Sequence, residues 1–335
     1  MLVDSFNRKL DYLRVSITDR CNLRCVYCMP SEGVEWKTHD SMLRFEEILR
    51  LVRIMAELGI RKVKVTGGEP LVRKGAASFL KNLMSIPKIK KVTLTTNGLL
   101  LNKYIDEAEA LGEGSLPGGV NISLDALNQE RFNNITREAN ARPEEILPAI
   151  DRLLEKKVRV KVNCVLIRGY NEEEIIPLVL LAREKNIAVR FIELMPLGSA
   201  AGLKPVSGLH TTAVIEKSFG ALEPFFGIES NGPAVYYSLQ GFVGKIGFIN
   251  PVSHGFCETC NRLRLTSMGL LKLCLSSNLN FDLQTLLRSG ISDNDLAKAI
   301  TEAAGKKPKA HTLSGVYSAH EQKEPKTDGM FEIGG

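Results

Sequence analysis

The sequence predicts an α/β fold in which short strands alternate with helices. Three observations carry this. Six short apolar runs recur between Asp11 and about Leu194, amphipathic helical segments separate them, and polar, glycine-rich motifs follow the runs at one end. Six (β/α) units with right-handed crossovers give either an open doubly wound sheet or an incomplete (β/α)6 barrel lacking two of the usual eight strands. In both arrangements ligands are expected at the C-terminal ends of the strands.

The first strand reads "YLRVSI". Behind it Phe45, Ile48, Leu49, Val52 and Met55 recur at helical spacing, and Gly59 supplies a C-terminal stop. The later strands read "RKVKVTGG", "KVTLTTNG", "VNISLD", "VRVKVNCVLI" and "IAVRFIEL". Their far ends carry "DRCNLRCVYC", "TGGEP", "TTNG", "SLDA" and "ELMPLG", whereas the connections on the other side are plainer. After Pro196 glycines and prolines dominate up to about Pro233. Two strand-like runs ("AVYYSL", "GKIGFIN"), a second cysteine group, a pair of helices and a polar tail follow. The expected division is a barrel over residues 1–197 and a smaller C-terminal module over 198–335. The Gly112 to Gly119 loop, "GEGSLPGG", has the composition of a flexible turn on the side away from the chemistry, and "KEPKTDG" that of a disordered tail.

With 335 residues, 44% of them hydrophobic, the chain can bury a full core. No apolar run approaches the roughly 20 residues that span a bilayer, and the start "MLVDSFNRKLDYLRV" lacks the regions of a signal peptide. A cytoplasmic protein that does not engage a membrane is expected. Seven cysteines, an odd number and clustered, suit metal or redox chemistry better than disulfides in such a compartment. A net charge of +6 does not imply nucleic-acid binding; a local basic pocket for a small anion stays open.

Cys21, Cys25 and Cys28 fall within eight positions directly after the first strand, spaced CxxxCxxC. Thiolates are the usual ligands of iron-sulfur clusters, and three ligands for four irons leave one iron open to a substrate or cofactor. A zinc knuckle would want a fourth nearby ligand, and His39 is distant in sequence. Cys257, Cys260 and Cys274 form a second set of three, for which His254 could complete a Cys3His zinc site. Cys164, in "KVNCVLI", reads as a buried core thiol. Arg262 and Arg264 stand two apart on a strand-like run, so both guanidinium groups face one side beside the second set. In "TGGEP" the glycines would let a ligand approach the backbone, and Glu69 could accept from an ammonium.

With CxxxCxxC, an aromatic Tyr27 before its third cysteine, and "VTGGEP" at a strand end, the sequence resembles the radical S-adenosylmethionine (SAM) superfamily. "CETCNRLRLTSMGLLKLCL" and the terminal "IGG" resemble, within it, the GTP 3',8-cyclase family of molybdenum cofactor biosynthesis. The resemblance implies an incomplete (β/α)6 TIM-like barrel with a smaller module carrying a second cluster. It implies a first 4Fe-4S cluster on Cys21, Cys25 and Cys28 whose open iron takes SAM, with Tyr27, Gly68, Ser123 and Met195 contacting SAM. It implies a second 4Fe-4S cluster on Cys257, Cys260 and Cys274 facing the guanine of GTP, with Arg14, Lys64, Thr95, Lys161, Arg262, Leu263 and Arg264 at GTP-contacting positions. Lys64 stands where the family is expected to carry an arginine, and it loses the bidentate fork. The pair Gly334 and Gly335 would enter the active site, anchored by Met330, Phe331 and Ile333.

The implied reaction is SAM cleavage to a 5'-deoxyadenosyl radical, abstraction of the 3' hydrogen of GTP, and attack on guanine C8. The implied partners are GTP, an electron donor, a second copy of the chain in a homodimer, and cyclic pyranopterin monophosphate synthase as recipient of the product. The alternatives are a radical SAM enzyme acting on a peptide, which would be expected to carry further cysteines after Cys274, and a non-catalytic protein with two zinc sites.

Overall fold

The computed structural model describes residues 1–34, 38–227, 232–311 and Phe331. The six expected units are all present. They run β1 (Tyr12–Ser16), α1 (Phe45–Leu58), β2 (Lys62–Thr66), α2 (Ala76–Met84), β3 (Lys91–Thr96), α3 (Leu101–Ala110), β4 (Gly119–Ser123), α4 (Gln129–Thr136), α5 (Leu147–Glu155), β5 (Arg159–Leu166), α6 (Ile175–Glu184) and β6 (Ala188–Glu193). Helix α1 begins where the Arg44 N–H donates to Glu47 at 2.7 Å and stops at Gly59, whose φ of 118° only glycine adopts easily.

The C-terminal part contributes α7 (Gly208–Phe219), β7 (Glu223–Phe225), β8 (Val235–Ser238), β9 (Lys245–Ile249), β10 (Arg262–Leu265), β11 (Leu270–Lys272), β12 (Asn280–Asp282), α8 (Leu283–Arg288) and α9 (Asp293–Gly305). Helix α7 lies inside a stretch whose glycines and prolines gave no helical expectation. Ser207 starts it by accepting the His210 N–H on its side chain, a cap that reads as loop composition in sequence.

The strands form one sheet in the order β12-β11-β10-β1-β2-β3-β4-β5-β6-β9-β8-β7. Strands β10 and β9 pair parallel with β1 and β6, so the later residues supply the two parallel strands that the first six lack. One contiguous hydrophobic core runs through both halves, from Leu2 to Ala304. Helix α9 packs on α1, with the Arg50 Nε donating to Asp293 at 2.8 Å.

The sheet is curled. Strands β1 and β6 are five steps apart, about 24 Å in a flat sheet. Yet Arg190 on β6 electrostatically perturbs Arg14 on β1 and Lys64 on β2. The inward side chains of opposite strands therefore share one enclosed space, as in a partial barrel. No helix among the described residues is long and apolar enough to cross a membrane.

Candidate active site

The first cysteine loop leaves β1 and lies against the C-terminal turn of α4. The Arg24 and Val26 N–H groups donate to the Thr136 and Ile135 carbonyls at 2.8 and 2.9 Å, and Cys28 and Met29 turn back onto the Cys25 carbonyl. All three cysteines are free. Burial pushes the Cys21 thiol up to about 11 and Cys28 up to about 12, and raises Cys25 well above its usual range; Glu69, Asp125 and the neighbouring cysteines reinforce this. A metal reverses that preference, because a coordinating thiol is deprotonated outright. Three half-buried soft donors close together on one loop are the donor chemistry that suits an iron-sulfur cluster. The Tyr27 hydroxyl donates to Asp125 at 2.7 Å, which also accepts the Val165 N–H at 2.8 Å and is pushed up to about 6 by burial.

The glycine turn does something other than expected. A Cβ on Gly67 would stand 2.5 Å from the Thr18 carbonyl, and one on Gly68 would stand 2.4 Å from that of Arg20. The close approach that requires glycine here is thus made by the cysteine loop itself, with Gly68 and Glu69 N–H groups donating to Thr18 and Arg20 at 2.8 Å. Glu69 is 0% exposed and is not available to an external ammonium. Its carboxylate accepts from the Leu71 N–H, the Thr96 hydroxyl and the Asn97 N–H at 2.9, 2.8 and 2.6 Å, and burial pushes it up to about 7. Glu69 fastens β2 to β3 beneath the loop. Gly68, Ser123 and Met195 sit at or just beyond the C-terminal ends of β2, β4 and β6, the same end as this loop.

Below that end the barrel interior is cationic. Arg14, Lys64 and Arg264 stand at one level of the sheet, because Arg14 pairs in register with both others. Lys161 and Arg190 reach the same space from β5 and β6, and Arg262 from the start of β10. Burial, then the mutual repulsion of these cations, holds Lys64 well below the usual lysine range. Burial holds Lys161 at about 8 and Arg14 at about 10, with repulsion from neighbouring arginines added. The Arg190 guanidinium donates to Asn121 at 2.7 Å, and Lys161 donates to the Tyr236 hydroxyl at 3.1 Å. The Thr95 hydroxyl, Asn163 Oδ1, Arg190 Nε and Arg262 Nε are buried and find no hydrogen-bond partner among the described residues. Packed cations and unsatisfied buried polar atoms, most of them donors, inside the barrel suit a polyanion.

The second cysteine group lies at the other end. Cys257 and Cys260 precede β10, which runs parallel to β1, and Cys274 follows β11, which is antiparallel to β10. All three therefore gather at the N-terminal end of β1, the end opposite to the one at which ligands are expected. A strand of five residues separates the two groups, about 16 Å, with the cationic cavity between them. Burial works against ionisation of Cys260, but Lys307 and Arg262 outweigh it and hold the thiol below its usual range. Arg262 stacks over Phe256 at 5.0 Å. His254 is exposed and faces Ser253 at 3.3 Å. Among the described residues no group of three or more His, Cys, Asp or Glu is arranged to hold a single metal ion.

Of the predicted residues, all six clustered cysteines, Tyr27, Gly68, Ser123, Met195, Arg14, Lys64, Thr95, Lys161, Arg262 and Arg264 line the two strand ends or the cavity between them. Leu263 differs. Its side chain is 0% exposed in the hydrophobic core, on the face opposite Arg262 and Arg264, so only its main chain is available to a ligand. Cys164 is a core thiol, as expected. Gly334, Gly335, Met330 and Ile333 lie outside the described residues; Phe331 is buried and its N–H reaches Cys28. Sequence reasoning missed Arg190, Asn121, Asn163 and Tyr236. The signal was available in "IAVRFIEL" and "VNISLD", where Arg190 and Asn121 each stand between two apolar neighbours within a strand. It also missed Glu193, whose carboxylate accepts the Val252 and Ser253 N–H groups at 2.8 and 3.0 Å and ties β6 to the approach of the second cysteine group.

Known proteins match this architecture. Residues 15–182 match the Radical SAM superfamily and residues 187–313 match Molybdenum Cofactor Synthesis C. The chain is 42% identical over 332 residues to the GTP 3',8-cyclase of Clostridium perfringens (strain 13 / Type A), covering 99% of both chains. It is 44% identical over 333 residues to that of Alkaliphilus metalliredigens (strain QYMF), again covering 99% of both. Among solved structures, Streptococcus suis SuiB bound to S-adenosylmethionine shares the fold with a TM-score of 0.60 at 17% identity, over 97% of this chain and 72% of that one. The chain belongs to the radical SAM superfamily and, within it, to the GTP 3',8-cyclase family.

Proposed function

We propose that the chain converts GTP to (8S)-3',8-cyclo-7,8-dihydroguanosine 5'-triphosphate, the first step of molybdenum cofactor biosynthesis. The observation that carries this reading is the row of buried cations, Arg14, Lys64, Lys161, Arg190, Arg262 and Arg264, enclosed between two cysteine triads at opposite ends of β1. A triphosphate is the small anion that such a row suits, and a purine has a soft-metal site at one end and a radical source at the other. A peptide substrate has no evident use for six converging cations.

When bound, a reduced 4Fe-4S cluster with SAM supplies the 5'-deoxyadenosyl radical that takes a hydrogen atom from the substrate. Cys21, Cys25 and Cys28 hold that cluster. Asp125 fixes the Tyr27 ring, and Tyr27, Gly68, Ser123 and Met195 contact SAM at the strand ends. Arg14, Lys64, Thr95, Lys161, Arg262 and Arg264, with the Leu263 main chain, hold GTP so that C3' faces both the radical source and C8. This is catalysis by positioning and by exclusion of competing hydrogen donors. Cys257, Cys260 and Cys274 would hold a second 4Fe-4S cluster, which would supply an open iron for the guanine. Gly334 and Gly335 enter the cavity from the tail, for which the burial of Phe331 next to Cys28 is the supporting observation. Residues 1–197 thus serve SAM and the radical, and residues 198–335 close the barrel and present the base. The enzyme works in the cytoplasm with no disulfide among its seven cysteines, draws its electron from a separate donor, forms a homodimer, and passes its product to cyclic pyranopterin monophosphate synthase.

The test is anaerobic turnover with SAM, dithionite and GTP deuterated at C3'. Deuterium in 5'-deoxyadenosine together with cyclised GTP supports the reading; SAM cleavage without GTP-dependent label transfer defeats it.

A further inference from the structure

The mechanism leaves a buried lysine without a role. Lys307 follows α9 and is 3% exposed. Its ammonium donates to the Arg262 carbonyl at 2.9 Å and to the Leu273 carbonyl, and it stands beside Cys260. Leu273 immediately precedes Cys274, and Arg262 lies two residues after Cys260. A single ammonium thus joins both arms of the second cysteine group. Its ionisable neighbours are Cys260, Cys274 and Arg8. No carboxylate among the described residues takes part.

A buried ammonium without a carboxylate is costly unless an anion faces it. Sulfurs held as thiolates by a metal are such anions. The residues after Lys307 are pinned in turn: the Arg8 guanidinium donates to the Cys257, Lys309 and Pro308 carbonyls at 2.7, 2.8 and 2.6 Å while its Nε bonds Asp4 at 2.6 Å. The lysine is therefore fixed relative to all three cysteines. The first loop differs: Glu69 and Asp125 are carboxylates beside its thiols, and Arg24, which donates to the Cys21 carbonyl at 2.8 Å, is a cation near Cys21.

We propose that Lys307 is a positioning residue of the second cluster, a fixed cation beside Cys260 and Cys274 that raises the reduction potential of whatever iron-sulfur centre those thiolates hold. Reduction adds a negative charge next to the ammonium, which stabilises it, and hydrogen bonds to ligating sulfur act in the same direction. The inference rests on the reading that the second triad holds a 4Fe-4S cluster, and the experiment separates the two.

Full-length protein carrying C21A, C25A and C28A, so that only the second triad binds iron, is reconstituted anaerobically. Iron is counted and the midpoint potential is measured by an EPR-monitored titration, alone and with Lys307→Gln or Lys307→Arg. Glutamine keeps donors without charge; arginine keeps the charge. The expected result is normal iron in all three, a more negative midpoint in Lys307→Gln, and a midpoint near the parent in Lys307→Arg. An unchanged midpoint in Lys307→Gln overturns the proposal while leaving the cluster in place. If Lys307→Gln loses its iron, retention by Lys307→Arg supports the need for charge, and loss from both overturns it in favour of packing. Absence of iron from the parent overturns the second cluster itself.

Discussion

The two cysteine groups use the same donor set in opposite electrostatic settings. Around Cys21, Cys25 and Cys28 the protein supplies buried carboxylates and its own backbone, so burial and anions push the thiols up. Around Cys257, Cys260 and Cys274 it supplies Lys307, Arg262 and Arg264, and Cys260 is held down. The difference teaches that three cysteines do not define a role by themselves. The first loop is insulated and braced, with a glycine turn against it so tightly that no side chain fits at Gly67 or Gly68. The second opens onto a row of cations that wants an anionic ligand.

The strongest way to break this comparison is to remove the first triad. Cys21→Ala, Cys25→Ala or Cys28→Ala should each abolish 5'-deoxyadenosine formation while far-UV circular dichroism stays native, since each deletes a ligand that the protein cannot replace. Normal SAM cleavage in any of them would remove the first loop from the chemistry. Ser replacements in Cys257, Cys260 or Cys274 should instead eliminate GTP cyclisation and weaken GTP binding, with SAM binding little changed. Equal loss of SAM and GTP binding would mean that the two ends are not functionally distinct. Deleting Gly334 and Gly335 should likewise depress cyclisation with iron content and SAM binding intact.

Smaller changes sharpen the comparison within the cavity. Arg264→Ala should weaken GTP binding by about 2 kcal/mol, roughly 30-fold, and the loss should shrink at high salt. Calorimetric titrations at two ionic strengths check this. Lys64→Arg should preserve or tighten binding because the fork returns; a marked loss would show a pocket reshaped around lysine.

A still milder effect comes from pH. Burial holds Lys161 at about 8 in the free protein, with Arg190 and Arg159 adding to this. A bound triphosphate favours the charged form and raises that value. Below about 8 the lysine is already protonated and affinity is flat with pH; above it the free protein must take up a proton to bind, so affinity falls as pH rises until the raised value in the complex is passed. Calorimetry in buffers of different ionisation enthalpy should show proton uptake near pH 9. None would mean that Lys161 does not face the phosphates.

Much of the architecture was legible from the sequence, because hydrophobic alternation and glycine stops are local signals. Leu13, Val63 and Val15 alternate with Tyr12, Arg14 and Lys64, which assigns both faces of β1 and β2 without any tertiary knowledge. The cysteine spacings carried both candidate clusters. What could not be read is what the chain brings together from afar. Strand β10 lies beside β1 although some 250 residues separate Arg14 from Arg264, which pair in register. That pairing, and not the local pattern, puts the second triad at the opposite end of the barrel. Arg190 and Lys307 went unnoticed because each is a lone cation whose neighbours are distant in sequence. That Gly67 and Gly68 pack against the Thr18 to Arg20 backbone was equally illegible, because a sequence does not show which segment comes close to a glycine turn.

The most direct test of the account, two iron-sulfur centres at the two ends of one cationic cavity, is an anaerobic count of iron and acid-labile sulfide in the full-length protein and in the two triple variants, C21A/C25A/C28A and C257A/C260A/C274A. The account predicts about eight irons and eight sulfides per chain in the parent and about four of each in either triple variant, as two cubanes require. Zinc without sulfide in the parent, or a parent count of about four that the second triple variant leaves unchanged, would contradict it.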